Sequence, residues 1–207
     1  MRRILALLSA FFLALSAFAQ TPGEIVAKME ETIGKTDTNG MVMSMDMKIP
    51  ILGTVTSRVW TLGEKTRIEG KIKGEKWVSF MDGDTEWQYS PEDNKVRIKH
   101  YKLNLGTTEA SNAKMFDGVS DGYDISLDKE TASAWFLQCK KKKGNKDKDA
   151  PKTMDLVVAK GSFYPLSLSA KASGITIKMY DLGFDVTENQ VTFNPADFPG
   201  ATIIDER

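Results

Sequence analysis

The sequence predicts a mainly β chain with a few helices, built as one large antiparallel sheet of ten or eleven strands that curls on itself. Three observations predict this. Apolar and polar residues alternate with period two through many short runs, Gly, Pro, Asn and Asp breaks separate those runs at near-regular spacing, and helical periodicity is scarce. A flat sheet of such width would leave an apolar face in water, so it has to curl.

Arg2 and Arg3, the apolar run from Ile4 to Leu15, and Ala17-Phe18-Ala19 before Gln20 have the form of a secretory signal. Residues 1–19 are expected to be removed, and residues 20–207 to form a single domain with a substantial core. Losing Arg2 and Arg3 from 28 basic residues leaves 26 against 28 acidic ones, a balance that offers nothing to nucleic acid. No later stretch approaches the roughly 20 apolar residues of a membrane span. The one cysteine, Cys139, lies far from the cleavage site, so a soluble exported protein without a lipid anchor or internal disulfide is expected. Cys139 itself reads as a small buried hydrophobe, since no base is near it in sequence.

Thr21-Pro22-Gly23-Glu24 reads as a capping box with proline at the first helical position, and Ile25, Val26, Met29 and Ile33 recur on one face of a helix from about Pro22 to Gly34. Met41 to Ile49 then alternates with period two, placing Met41, Met43, Met45, Met47 and Ile49 on one side. Unbranched thioethers specify a rigid core poorly and adapt to guests of variable shape, so both a core strand and a flexible cavity lining fit this row.

Thr54 to Leu62, with Trp60 and Leu62 in alternation, and Lys65 to Ile72, with Arg67, are the next strands. From Gly74 to Ile98 the chain forms a meander broken at Asp82-Gly83-Asp84 and at Ser90 to Asn94. Trp77, Met81, Trp87 and Tyr89 are expected to share one side of it. His100, the sole histidine, reads as structural.

Thr108 to Gly118 fits a short helix carrying Met115 and Phe116; further strands follow at Gly122 to Leu127 and Thr131 to Lys140, the latter with Trp135, Leu137 and Cys139 on one face. Lys140 to Asp149 reads as a charged hairpin tip that either solvates the chain or makes transient contact with anionic headgroups or an acidic surface. Met154 to Ala159, Pro165 to Ala170, Ile175 to Tyr180 and Val191 to Phe193 complete the strands. Neither Asp147 with Asp149 nor Asp82-Gly83-Asp84 has calcium-loop spacing, and no metal site or cofactor is expected.

Asp82-Gly83-x-Thr85-x-Trp87-x-Tyr89-x-Pro91 with Lys95-Val96, and Val191-Thr192-Phe193-Asn194-Pro195-Ala196-Asp197-Phe198-Pro199-Gly200 leading into Ile203-Ile204-Asp205, resemble the LolA-type periplasmic lipoprotein carriers. The resemblance covers about a third of the chain and no catalytic motif. It implies an incomplete β-barrel covered by helices on its concave side, located in the periplasm. Arg67 is nearest in order to the family's arginine that hydrogen-bonds lid backbone in the closed state, although the usual arginine-proline pairing is absent and an exposed surface arginine is the plainer reading. Met115 and Phe116 become lid contacts on the same basis, or else a permanent plug.

An enzyme needs convergent polar groups with tuned acidity, and one His, one Cys and turn-borne carboxylates supply no such set. Adaptable apolar strands in an exported chain suit a hydrophobic ligand instead. The expected lining for acyl chains is Met41, Met43, Met45, Met47, Trp60, Leu62, Trp77, Met81, Trp87 and Tyr89. By resemblance the cargo is acylated lipoprotein, loaded by an inner-membrane ABC-type exporter, delivered to an outer-membrane acceptor, and carried by a monomer. A lipid- or lipoprotein-sensing scaffold of the same fold, and a carrier of free lipids or glycolipids, are the alternatives.

Overall fold

The computed structural model describes residues 20–36, 40–51, 53–101, 116–148, 150–172 and 174–207. The expected signal, Met115 and most of the expected 108–118 helix lie outside these. Helix α1, Pro22–Thr36, runs two residues past its expected end. Its first turn is closed as the sequence predicts: the Thr21 N–H donates to Glu24 Oε2 at 2.7 Å, and the Glu24 N–H donates to Thr21 Oγ1 at 3.3 Å. Ile25, Val26, Met29 and Ile33 are all buried along one stripe.

Twelve strands follow: β1 Met41–Ile49, β2 Gly53–Leu62, β3 Lys65–Ile72, β4 Glu75–Asp82, β5 Thr85–Ser90, β6 Lys95–His100, β7 Tyr123–Glu130, β8 Ala134–Lys141, β9 Thr153–Ala159, β10 Pro165–Ala172, β11 Ile175–Gly183 and β12 Thr202–Asp205. They form one sheet in the order β12-β6-β5-β4-β3-β2-β1-β11-β10-β9-β8-β7. The sheet is curved and does not close into a barrel. Two meanders, β1 to β6 and β7 to β11, meet where β1 pairs with β11. Every pairing is antiparallel except β6 with β12, which is parallel and so departs from the all-antiparallel expectation.

A second departure lies at Val191–Phe193, which is not a strand. Short helix α2 is Val119–Gly122, and the C-terminal segment forms helix α3, Glu188–Val191, and a 3-10 turn at Pro195–Asp197. The Thr187 N–H donates to the Gln190 side chain at 2.8 Å, and Asn194 Oδ1 accepts from the Ala196 N–H at 3.1 Å. These caps outweigh the β-branched run Val191-Thr192, because they satisfy amides that a strand here would leave unpaired.

The core lies under α1. Ile25, Val26, Met29 and Ile33 join Met41, Met43, Val59, Leu137, Cys139, Met154, Leu156, Val158 and Leu168 in one buried cluster. Each such side chain, fully buried, contributes about 1.5–3 kcal/mol of transfer free energy.

Candidate functional site

Register decides which side chains meet, because directly opposed residues of neighbouring strands point to the same side of a sheet. One row of aliphatic and thioether side chains runs Leu127, Leu137, Leu156, Leu168, Met179, Met45 across β7 to β11 and β1. A second runs Ile125, Cys139, Met154, Ala170, Ile177, Met47, Val55. None of the lining residues expected from the sequence lies on β7 to β11. Alternation in Pro165–Ala172 and Ile175–Gly183 was the available signal.

Cover over this face is uneven. Met41 and Met43 are 0% and 3% exposed beneath α1, whereas Met45, Met47 and Ile49 are half-buried as β1 runs on. Methionine is therefore core at one end of the strand and half-open surface at the other. Burial pushes the Cys139 thiol up to about 11, so it stays a protonated, inert hydrophobe.

Trp77 and Met81 lie on this methionine-bearing face. Trp77 opposes Gly70, which opposes Ser57 and so Met45. Its indole packs against Gly70, where a Cβ would come within 2.4 Å of the ring. Beyond β4 the same face turns polar with Glu86, Gln88, Arg97 and Lys99, and Ser79 Oγ donates to Glu86 Oε1 at 2.5 Å.

Trp60, Leu62, Trp87 and Tyr89 lie on the other face, which corrects the expectation of a shared lining. Trp87 opposes Phe80, not Trp77, and Trp60 opposes Val42 rather than a methionine. The C-terminal segment covers these rings. Phe193 stacks on Trp87 at 5.6 Å and meets Phe80 edge-on at 5.8 Å, while Phe198 lies 4.6 Å from Tyr89.

Arg67 belongs to this second face too. Its guanidinium sits 5.1 Å from the Trp60 ring and 5.3 Å from Phe80, pairs with Glu69, and donates to the Gln190 carbonyl of α3 at 3.4 Å. It is neither an exposed surface arginine nor a neighbour of Phe116. Lys65 pairs with Glu188 beside it, a contact that raises the lysine pKa and lowers that of the acid. Phe116, 1% exposed, is packed in the α1 cluster on the methionine face.

His100 is exposed at the end of β6. Among the described residues no group of three or more His, Cys, Asp or Glu is placed to hold a metal. In the charged hairpin, Lys142 Nζ donates to the Asp121 carbonyl at 2.8 Å and Lys141 Nζ to that of Asp147, so two of its lysines brace the loop backbone.

No protein-family model matches this chain, and no curated protein does. Solved structures match over most of its length. LprF from Mycobacterium bovis aligns with 85% of this chain and 99% of its own at 8% identity, with a TM-score of 0.52. The lipoprotein LppX from Mycobacterium tuberculosis aligns with 81% of this chain and 98% of its own at 10% identity, TM-score 0.50. A LolA superfamily protein from Nitrosomonas europaea aligns with 86% of this chain and 100% of its own at 12% identity, TM-score 0.36. This chain shares the fold of the two mycobacterial structures.

Proposed function

We propose that this protein is a periplasmic carrier that holds the acyl chains of lipoproteins against its methionine-bearing face and releases them to an outer-membrane acceptor. The observation that carries the reading is the passage from dry to half-open along two apolar rows, at Met45, Met47 and Ile49 with Ile177. An acyl chain laid there exchanges water for thioether and aliphatic contacts. Ten buried methylenes give a gross gain of about 8 kcal/mol before ordering costs, enough to hold cargo and still pass it to a tighter acceptor. The uncharged side chains of the rows offer hold without chemistry, which favours carriage over catalysis. Loading by an inner-membrane ABC-type exporter belongs to the same proposal.

The test is release. Purified protein added to spheroplasts of the source cells should bring acylated lipoproteins into the soluble fraction, bound to it. Recovery of free lipid instead would replace lipoprotein cargo with lipid cargo on the same face. Replacing Met45 and Met47 together with Asp should lower acyl-chain affinity by at least tenfold, because each carboxylate must be dehydrated when the chain seats. Both positions are half-buried, so the fold should survive, whereas Asp at Met43 would strike the core. Unchanged affinity in a folded double variant would remove this face from the site.

A further inference from the structure

The chain carries 28 basic and 28 acidic residues, yet its two sheet rims are oppositely charged. At one rim, the β1–β2 tip is flanked by the β3–β4 and β10–β11 turns. Lys48, Lys71, Lys73, Lys76 and Lys171 are exposed there, with Glu75 the acid in the same turns among the described residues. None of these five lysines is in an ion pair with a described carboxylate. The opposite rim, at the β2–β3 and β4–β5 turns and the end of β11, presents Glu64, Asp84 and Asp181 beside Asp82, which shares the half-buried Lys65 with Glu188. These turns thus carry opposite charge at the two ends of their strands.

The basic rim also carries the most exposed large apolar residue described, Ile51, at 107%. Its φ is 72°, a left-handed backbone that β-branched side chains rarely adopt. Beside it, an open depression of about 430 Å³ lies between Lys48, Ile49 and Lys171. An isolated apolar tip ringed by unpaired lysines gains nothing from water. It matches a surface with anionic phosphates outside and hydrocarbon just beneath.

We infer that this rim docks on an anionic phospholipid bilayer, with Ile51 entering the interface and the lysines meeting lipid phosphates. The half-open run Met45, Met47, Ile49 leads to the same rim, so docking sets the open end of the apolar rows against the membrane. The acidic rim is then held outward by repulsion, which fixes the orientation. This site is separate from the proposed acyl face and stands or falls by itself.

The test is flotation of the purified protein with vesicles of phosphatidylglycerol mixed into phosphatidylcholine, beside phosphatidylcholine alone. Binding should need the anionic lipid and weaken with salt. Lys48→Gln with Lys171→Gln should cut it roughly 25-fold, at about fivefold per lysine near a charged surface. A polarity-sensitive dye on an Ile51→Cys variant should report a less polar setting on binding, and buried Cys139 leaves position 51 as the labelled thiol. Equal binding to neutral vesicles, or a dye that stays in water, overturns the proposal. So does failure to float while the same lysines bind an acidic polypeptide, which would make the partner a protein. Acyl-chain affinity measured without vesicles should be unchanged in these rim variants, so loss of either activity is read separately.

Discussion

The two faces of the sheet carry different chemistry. On the methionine-bearing face, from β7 to β11 and through β1 and β2, the side chains are mostly aliphatic and thioether, buried under α1 at one end and half-open at the other. From β2 to β6 the other face is aromatic, and the C-terminal segment closes it with ring contacts of 4.6–6.0 Å and the Arg67 sandwich. The chemistry suits the difference. Aromatic rings have two side-chain torsions and preferred stacking angles, so they make a permanent closure, whereas methionine has three torsions and yields to whatever enters. On the function proposed above, one face stays shut and the other admits the acyl chain.

The sharpest way to break this comparison is Phe80→Ala. Phe80 is 2% exposed, touches both Phe193 and Phe198, and lies under Arg67. Its truncation should cost about 3–5 kcal/mol, read from the urea midpoint at unchanged slope. Acyl-chain affinity of the molecules that remain folded should hardly move. If affinity fell in step with stability, the two faces would be one coupled unit and the assignment of roles would fail.

Gly70→Ala probes where the proposed acyl face ends. The added Cβ would fall 2.4 Å from the Trp77 indole, with no room unless the ring lifts. The expected cost is about 1–3 kcal/mol, together with a shifted indole N–H signal for Trp77 in NMR spectra. A lifted indole that alters acyl-chain affinity would place Trp77 in the wall of the groove. An unmoved signal would mean that the backbone, not the ring, gives way.

Strand existence and the apolar side within each strand were legible because alternation is local. The relation between strands was not, because it depends on turn length. The Gly83-Asp84 loop opposes Asp82 to Thr85, and counting back from there sets Trp87 against Phe80 and away from Trp77. The same count through the tip after Ile49, which opposes Gly53, sets Trp60 against Val42. The expected lining was thus drawn from two faces, although the turns already held the arithmetic that separates them. The C-terminal segment misled differently. Val191-Thr192-Phe193 has strand composition, but Thr187 and Gln190 at capping-box spacing favour a helical turn. Which face Phe193 and Phe198 would cover is tertiary information that no local pattern carries.

The smallest expected effect concerns acid and again separates the halves. A hydroxyl of Ser90, then the Arg97 guanidinium, hold the Asp93 carboxyl down at about 2, and Arg207 does the same for Asp205. Both acids sit by β6 and β12, at the outer edge of the aromatic half. A carboxylate with a depressed folded pKa favours the folded state above its ordinary value near 4, and that help disappears as pH falls toward 2. Both side chains are solvent-exposed, so the loss is small and shrinks further in salt. On acidification from pH 4 to pH 2, amides of β6 and β12 should lose hydrogen-exchange protection before those of β8 and β9, whose inward residues Leu137, Cys139 and Leu156 carry no carboxylate. Asp93→Asn should flatten that dependence at β6 while leaving β8 and β9 as they were. Simultaneous loss in all four strands would mean that the two halves open as one.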